Sequence, residues 1–304
     1  MPKHKKQHFV PACYLRAWCD PDAPALYTPY LWLFDKDGLN SRSKSPENIF
    51  YETDMYTIKH ADGSRNLVLE HGLNQLETEF AEIRKNKIAY GLPLDPTEHT
   101  LLCAFAAAAH SRTPSSREHI RKQWKHPLRV MNEMAEWFKT ATPEEKHKLA
   151  AISRSSPSKE PGLSQDQVKR LYEQPLQTAL FAEIRVIAPL LRELDMAILE
   201  TQDSIGFITS DNPCLWFDPE SHKRHPMYRS PALAYETIEI TLPISPTQCL
   251  FLNRQGIRGY TEVEPCVVDK LNRRFRSMSV EHFIVRRNIK RDYWFTTDSE
   301  STDS

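Results

Sequence analysis

The chain has 304 residues, and its 40 basic and 40 acidic side chains give a formal net charge of zero. This balance excludes a uniformly basic nucleic-acid-binding or membrane-surface protein, so any such affinity must be local. A hydrophobic content of 40% is typical of globular proteins and excludes collagen-like and disordered chains. Neither G-x-G-x-x-G nor a P-loop motif occurs, so we expect neither a Rossmann dehydrogenase nor a P-loop NTPase.

Cysteine usage and the N-terminal composition indicate the compartment. The six cysteines form no C-x-x-C pair and no zinc-ligand spacing, which favours buried free thiols in a reducing cytosol. The basic N-terminus lacks the apolar core of a signal peptide, and the small-residue run 101–109 is too short to span a bilayer. We therefore expect a cytoplasmic protein without a membrane segment.

The first elements predicted along the chain are short. The aromatic and aliphatic spacing of residues 14–18 predicts one or two helical turns packed on a core. Residues 31–34 predict a strand that enters a tight turn at Asp37-Gly38, since this dipeptide tolerates positive φ. A short extended segment at 54–58 is expected to pair nearby.

Longer helices are predicted where apolar residues recur every three or four positions. They cover 66–87, a segment from Thr97 as N-cap to 110, 116–140, and 164 to about 194. We expect Pro127 to kink or split the third of these helices, and Pro175 and Pro189 the fourth. The polar stretch 142–162 is expected to begin as a short helix and to end as a surface loop, and it is where we expect disorder.

Strand-like runs dominate the last third of the chain. They cover 196–200, 206–209, 214–217, 237–242, 248–253 and 282–285. One helix at 265–277 interrupts them, and the acidic tail from 296 to the end is expected to be disordered.

This order of elements predicts an α+β single domain over residues 1–295. A central helical bundle, at about 64–194, is expected to pack on a mainly antiparallel sheet. The sheet would be built largely from 195–287, with an N-terminal hairpin from within 28–60. Two intimately packed lobes are the alternative.

Several short motifs resemble those of a known family. The chain carries Gln-His-Phe-Val-Pro at 7–11, Tyr14-Leu15, Arg-Thr-Pro at 112–114 and Thr-Ser-Asp-Asn-Pro at 209–213. In this order they are similar to DUF4238, a family of uncharacterised proteins, and the resemblance extends over about residues 5–287. Cys214 departs from the family pattern, but it replaces no candidate catalytic group. The family carries no established activity, so the resemblance implies no reaction.

Two glutamates on the first long predicted helix are candidate catalytic residues. Glu70 and Glu77 are seven positions apart and project from nearly the same side of the helix, beside its apolar stripe. A carboxylate in such a place has a raised pKa, pairs with an arginine or binds a cation. Arg112 is the natural partner, and the structural alternative is an internal ion pair that joins two helices.

Asp211 and Asn212 follow a strand-like run and precede a proline, which places them at a strand end or in a turn. The functional interpretation makes Asp211 a general base or cation ligand and Asn212 a substrate-orienting residue. The structural alternative is a turn in which both side chains cap the backbone.

His8 is the candidate general acid or base of the N-terminal motif, because histidine titrates near neutral pH. Gln7 and Tyr14, in the same motif, are candidate substrate-binding residues. The structural alternative for His8 is a hydrogen-bonded histidine that stabilises the fold.

A local basic stripe is the main charge feature. Arg117, Arg121, Lys125 and Arg129 recur every four residues on the predicted helix 116–140. They form either a solvated helix face or a track for a nucleic-acid backbone, with Trp124 nearby as a stacking surface.

These features lead to a phosphodiester-directed hydrolase, a nuclease acting on RNA or DNA, as the first hypothesis. His8 would be the acid or base, Arg112 would stabilise the phosphorane, and Asp211 with the glutamates would hold Mg²⁺ or Mn²⁺ or orient the histidine. A role in antiviral defence and homo-oligomerisation are further hypotheses. The alternatives are a non-catalytic nucleotide- or protein-binding module and a nucleotide glycosidic-bond hydrolase.

Overall fold

The computed structural model of the protein describes residues 6–24, 26–60, 62–154 and 162–296. Helices occupy most of the middle of the chain and strands most of its two ends, so the predicted α+β class is confirmed. The end of the predicted surface loop, at 155–161, and the predicted disordered tail, at 297–304, lie outside the described residues.

Eight α-helices are present in the described residues. They are α1 Ala12–Leu15, α2 Val68–Asn86, α3 Pro96–Ser111, α4 Pro114–Thr140, α5 Pro143–Arg154, α6 Gln165–Glu173, α7 Pro175–Arg192 and α8 Pro265–Met278. Pro127 lies inside α4 without splitting it, whereas Pro175 begins a new helix. None of the described helices is long and apolar enough to cross a membrane.

The N-cap of α3 differs from the prediction. Asp95, not Thr97, is the cap: its Oδ1 accepts hydrogen bonds from the amides of Thr97 and Glu98 at 2.7 and 2.9 Å. Glu98 in turn accepts from the Asp95 amide at 2.8 Å, which completes a capping box. Pro96 then occupies the first helical position, where its missing N–H costs no hydrogen bond.

The thirteen described strands form two larger sheets and two ribbons. They are β1 Lys6–His8, β2 Leu31–Asp35, β3 Ser41–Lys44, β4 Tyr51–Thr53, β5 Ile58–Lys59, β6 Arg65–Asn66, β7 Asp195–Glu200, β8 Thr209–Ser210, β9 Leu215–Phe217, β10 Glu239–Ser245, β11 Gln248–Asn253, β12 Gly259–Glu262 and β13 His282–Val285. One sheet has the order β12-β7-β11-β10-β9 and the other β3-β2-β13-β8, while β1 pairs with β4 and β5 with β6.

Strand pairing is antiparallel throughout the described sheets except between β12 and β7. The prediction of a single sheet is therefore corrected to two. The N-terminal hairpin β2–β3 does not join the five-stranded sheet, because residues 32–35 of β2 pair with β13.

The alanine-rich helix α3 lies at the centre of the core. It packs against α7 and α2, and Ala106–Ala109 are buried. These short side chains allow neighbouring helices to approach α3 closely. Where α2 contacts α3, the rings of Phe80 and Phe105 stack with their centroids 3.7 Å apart. A second cluster joins α8 to the four-stranded sheet around the stacked pair of Phe34 and Phe283.

The N-terminal segment joins the helices to the sheets. Tyr14 and Trp18 are buried in the main core. The indole Nε1 of Trp18 donates to the carbonyl of Phe207 at 2.8 Å. This packing fixes the position of β1 and of the residues that follow it, where the predicted site residues lie.

Candidate functional site

Gln7 faces the protein interior. Its side chain is fully buried, its Nε2 donates to Thr57 Oγ1 at 3.0 Å, and its Oε1 accepts from the Tyr56 amide at 2.5 Å. These bonds hold the turn that contains Asp54, which has a positive φ of 58°. Both the nitrogen and the oxygen of the Gln7 amide have protein partners, so its buried position opposes the predicted role in substrate binding.

Tyr14 is also a core residue. Its side chain is 1% exposed, and its hydroxyl lies 2.7 Å from Thr209 Oγ1. Burial raises the pKa of the Tyr14 phenol well above its ordinary value. The hydroxyl joins helix α1 to strand β8 and does not reach solvent, so its position opposes the predicted role in substrate binding.

The predicted pairing of Glu77 with Arg112 is present. Arg112 Nη1 donates to Glu77 Oε1 at 2.8 Å, and Arg112 Nε donates to the carbonyl of Phe9 at 2.9 Å. Burial lowers the pKa of Arg112, but the charge of Glu77 opposes it and leaves that pKa above the ordinary value. The arginine therefore stays charged in the interior and joins α2, α3 and the N-terminal segment.

His8 and Cys13, both partly buried, complete a cluster that we define as His8, Cys13, Glu77 and Arg112. The pKa of His8 is lowered by burial, against the opposing charge of Glu77. Cys13 Sγ lies 4.0 Å from Glu77 Oε2, and burial raises the thiol pKa to about 11. His8 Nε2 and Arg112 Nη2 are buried without a hydrogen-bond partner among the described residues.

Glu70 lies near this cluster and interacts electrostatically with its Glu77 and Arg112. Burial and the charge of Glu77 raise the pKa of Glu70. The two glutamates thus share one electrostatic environment, as their spacing predicts. Within the described part of the chain, however, no three or more His, Cys, Asp or Glu side chains are arranged to hold a metal ion. The Mg²⁺ or Mn²⁺ hypothesis therefore has no ligand set among these residues.

Asp211 caps a backbone turn. Its carboxylate accepts hydrogen bonds from the amides of Val280, Glu281 and His282 at 2.7, 2.7 and 2.9 Å. Burial raises the pKa of Asp211, while these three bonds oppose the rise. Both carboxylate oxygens are occupied, so the geometry opposes a general base and matches the structural alternative.

Asn212 belongs to the same turn. Its amide Nδ2 donates to the carbonyl of Met278 at 3.2 Å, and its backbone amide donates to Ser210 Oγ at 3.1 Å. Its side chain thereby fixes the end of α8 instead of pointing into an open site.

The predicted basic stripe on α4 is interrupted by acidic partners. Arg117 Nη1 lies 2.5 Å from Glu52 Oε2, and its Nη2 lies 3.2 Å from Glu52 Oε1. Arg121 pairs with Glu118 and donates to the carbonyl of Tyr172 at 3.2 Å. Lys125 is exposed and makes no ion pair with a described residue. Most of the expected positive face is therefore neutralised.

A cleft of about 500 Å³ opens beside β1, and we call it the aromatic cleft. Its apolar surface comes from Phe9, Leu33, Ile49, Phe50, Tyr51, Pro114 and Val280. Its polar rim comes from Arg42, Lys44, Asn48, Glu52, Asp211, Glu281 and His282. A concave apolar surface with a few polar groups is the usual form of a small-molecule site.

Phe50 forms the floor of the aromatic cleft in an unusual conformation. Its φ is 55°, a left-handed value that is rare for a bulky side chain. The strained backbone is held because the Phe50 carbonyl accepts from the amides of Phe9 and Val10 at 2.8 and 3.5 Å. Its ring centroid lies 5.6 Å from that of Phe9 and 6.4 Å from that of His282. Such strain concentrates at functional sites.

Two polar side chains on the rim of the aromatic cleft, Arg42 and His282, contact each other and Asp35 of β2. Arg42 Nη2 lies 2.8 Å from Asp35 Oδ1 and 3.0 Å from His282 Nε2. A guanidinium only donates hydrogen bonds, so His282 Nε2 is the acceptor in its contact with Arg42. None of these residues was a candidate from the sequence. The one sequence feature that could have indicated them is the polar composition of β3 next to the aromatic strand β2.

Comparison with known proteins identifies a family but no activity. No curated protein and no solved structure matches the chain. The family described as Protein of unknown function (DUF4238) matches residues 6–289, which confirms the predicted family. Because the match covers nearly the whole chain, the protein belongs to the DUF4238 family.

Proposed function

We propose that the protein binds a nucleotide or a similar ligand, an aromatic ring carrying an anionic group, in the aromatic cleft. One observation carries this proposal: aromatic side chains line the floor, while a guanidinium, an ammonium and an imidazole lie on the rim. The proposal corresponds to the nucleotide-binding module considered from the sequence, with a different set of residues.

The floor suits a flat ring. Phe9, Phe50 and Tyr51 present aromatic surfaces, and a volume of about 500 Å³ accommodates a ligand of nucleotide size. Stacking of a base on an aromatic side chain contributes about 1–3 kcal/mol. The strained backbone of Phe50 places its ring before the ligand arrives, which limits the entropy lost on binding.

The rim suits an anion. Lys44 is exposed and makes no ion pair with a described residue, so its ammonium is available. Arg42 is 48% exposed and offers a planar donor group next to it. The carboxylate of Glu52, which also lines the cleft, is neutralised by Arg117. Two further carboxylates line the cleft: Asp211 accepts hydrogen bonds from three backbone amides, and Glu281 is 76% exposed. Lys44 and the remaining donors of Arg42 are the groups on the rim that can bind a phosphate.

Phosphodiester hydrolysis is the second candidate, and His282 is the observation that favours it. In this reaction a water oxygen bonds to phosphorus while the bond to the leaving oxygen breaks. Once Arg42 Nη2 turns from His282 Nε2 to the phosphate, Nε2 would accept the proton of the water and return it to the leaving oxygen. His282 Nδ1 lies 3.8 Å from Glu281 Oε2, which would stabilise the imidazolium. The nuclease hypothesis thus moves from His8 to His282.

The test is to measure, by calorimetry, the equilibrium binding of AMP and of adenosine to the full chain. We expect AMP to bind more tightly than adenosine, and Phe50→Asn to weaken both, since asparagine tolerates the left-handed backbone but lacks the ring. Arg42→Gln should remove the advantage of AMP. Lys223→Gln, an exposed lysine paired with Glu220, is the charge-matched control.

Two results would decide against these proposals. If AMP and adenosine both fail to bind the wild type, or if Phe50→Asn binds them equally well, the aromatic cleft is not a nucleotide site. Incubation with dinucleotides tests the second candidate, with separation of the products. Binding without cleavage leaves a binding module, whereas cleavage that survives His282→Gln excludes that histidine as the proton carrier.

A further inference from the structure

A second cleft, of about 830 Å³, lies between α2 and the edge formed by β7 and the β10–β11 turn. We call it the cationic cleft. Four cationic side chains line it against two carboxylates, so its lining carries two net positive charges. None of the described residues that line it is aromatic, which separates its chemistry from that of the aromatic cleft.

Two of its four cations already have partners. Arg84 donates to the carbonyls of Tyr14 and Cys13 at 3.1 and 2.9 Å, which fixes the N-terminal segment on α2. Arg16 Nη2 lies 2.9 Å from Glu47 Oε1. Lys85 and Arg286, in contrast, make no ion pair or hydrogen bond with a described residue. They are the charges that a ligand in the cationic cleft can neutralise.

The opposite wall is rigid and polar. The Thr201 amide donates to the carbonyl of Thr247 at 3.0 Å, and the Phe207 amide donates to the carbonyl of Pro246 at 2.7 Å. These bonds hold the turn 245–247 from both sides, and its hydroxyls Ser245 Oγ and Thr247 Oγ1 lie 3.2 Å apart. The hydroxyl groups are therefore in place before any ligand binds.

The carboxylates do not cancel the positive charge. Glu200 accepts a hydrogen bond from Gln248 Nε2 at 2.9 Å, and Gln248 also donates to the carbonyl of Ile88. This pairing draws Glu200 toward the β7–β11 ladder. Glu262 is exposed at the rim. The interior of the cleft is therefore lined mainly by hydroxyl groups and cationic side chains, which are the groups that bind phosphate in proteins.

We propose that the cationic cleft binds a small phosphate ester without an aromatic ring, with Arg286 and Lys85 on the phosphate and the hydroxyls of Ser245 and Thr247 completing its hydrogen bonds. Arginine suits this role because its planar donors match two phosphate oxygens. The site is independent of the aromatic cleft, since the two share no lining residue.

Calorimetry with glucose 6-phosphate and with glucose tests this proposal on the full chain. We expect glucose 6-phosphate to bind and glucose not to bind. Arg286→Gln should weaken binding by about tenfold or more, the scale of a lost charge-assisted hydrogen bond. Arg287→Gln is the matched control, because Arg287, which follows Arg286 in sequence, pairs instead with the exposed Asp22.

Lys85→Gln provides a second variant on an exposed helix face, and the thermal unfolding of each variant shows whether it is folded. Phe50→Asn should leave glucose 6-phosphate binding unchanged, so failure of the aromatic cleft and failure of the cationic cleft give different results. The proposal is overturned if glucose 6-phosphate does not bind the wild type, or if a folded Arg286→Gln and a folded Lys85→Gln both bind it as tightly as the Arg287→Gln control.

Discussion

Arg112 donates to Glu77 at 2.8 Å, but the two side chains are buried to different extents: the arginine is 1% exposed and the glutamate 17%. Loss of the glutamate leaves a guanidinium in the interior without a counter-ion, whereas loss of the arginine leaves a carboxylate that water can reach. Removal of the glutamate side chain should therefore cost more free energy of unfolding than removal of the arginine side chain, although both remove the same ion pair.

We predict that Glu77→Leu destabilises the protein by about 3–5 kcal/mol, the scale for breaking a buried ion pair from one side. Arg112→Met should cost less, and the double variant should be more stable than Glu77→Leu alone. Urea unfolding of the four proteins gives a double-mutant cycle. Glu82→Leu, an exposed position on the same helix, is the control. Equal costs for the two single variants would contradict the asymmetry.

The partly buried histidine of the same cluster, His8, predicts a pH dependence of folding stability. The pKa of His8 is lowered by burial from its ordinary value of 6.5, so the unfolded chain binds a proton that the folded chain does not. Stability should therefore fall as the pH drops through about 6.5. His99 and His110, whose pKa values are also lowered by burial, add to the same trend.

His8→Asn should remove part of this trend. We expect the variant to lose less free energy of unfolding than the wild type between about pH 8 and pH 5.5. The carboxyl groups with raised pKa values, such as Glu70, are present in both proteins and cancel in the comparison. His60→Asn, at an exposed position, should follow the wild type. Parallel curves for His8→Asn and wild type would show that His8 does not contribute.

The role of Asp211 can be tested by stability instead of activity. Asp211→Asn keeps one acceptor but presents an NH₂ group to amides that donate, so at least one of the three bonds is lost. We predict a loss of about 3 kcal/mol, the upper scale for hydrogen bonds to a charged group. Asn212→Ala, which loses one bond to Met278, should cost about 1 kcal/mol or less. A fully stable Asp211→Asn protein would restore the general-base hypothesis.

Local patterns in the sequence predict the long helices well. Apolar periodicity predicts a helix at 66–87, and α2 spans Val68–Asn86. The same holds for α8, predicted at 265–277 and observed at Pro265–Met278. These helices bury one face, so the spacing of their apolar residues indicates where each helix begins and ends. The predicted N-cap of α3 was wrong because Thr97 and Asp95 are both residue types that cap helices well, and only the backbone geometry distinguishes them.

The candidate site was harder to predict, because its residues are distant in sequence. Arg42 and His282 are 240 positions apart and meet because β2 pairs with β3 on one side and with β13 on the other. No local pattern predicts that pairing. The Glu77–Arg112 pair was predictable, since a carboxylate beside an apolar stripe requires a counter-ion. Whether Asp211 faces solvent or a turn depends on three amides about 70 positions away, which the motif does not reveal.

Gly206 allows a backbone contact that no other residue can make. Its φ is +73°, and a Cβ atom there would lie 1.9 Å from the carbonyl oxygen of Pro246. Gly256 has a similar φ of +80°, but a Cβ atom there meets nothing within 4 Å. We predict that Gly256→Ala costs about 1–2 kcal/mol of strain, whereas Gly206→Ala costs clearly more or prevents folding. Thermal unfolding measures both, and similar costs would show that the Pro246 contact relaxes freely.

Ion pairing on α4 predicts how weakly that helix interacts with nucleic acid. Lys122 and Lys125 are its exposed lysines without an ion pair to a described residue. If these two side chains bind phosphates of single-stranded RNA, the plot of log affinity against log salt concentration should have a slope of about −1.4. Four free cations would give about −2.8. Glu118→Gln should release Arg121 and steepen the slope toward about −2, because Glu118 is its acidic partner.

Filter binding of a labelled RNA over a salt series measures this slope. Glu144→Gln, an exposed glutamate in the first turn of α5, changes the net charge by the same amount and should leave the slope unchanged. A wild-type slope near −2.8 would mean that RNA displaces Glu52 and Glu118 from Arg117 and Arg121, and the basic stripe would then be a binding surface despite its ion pairs.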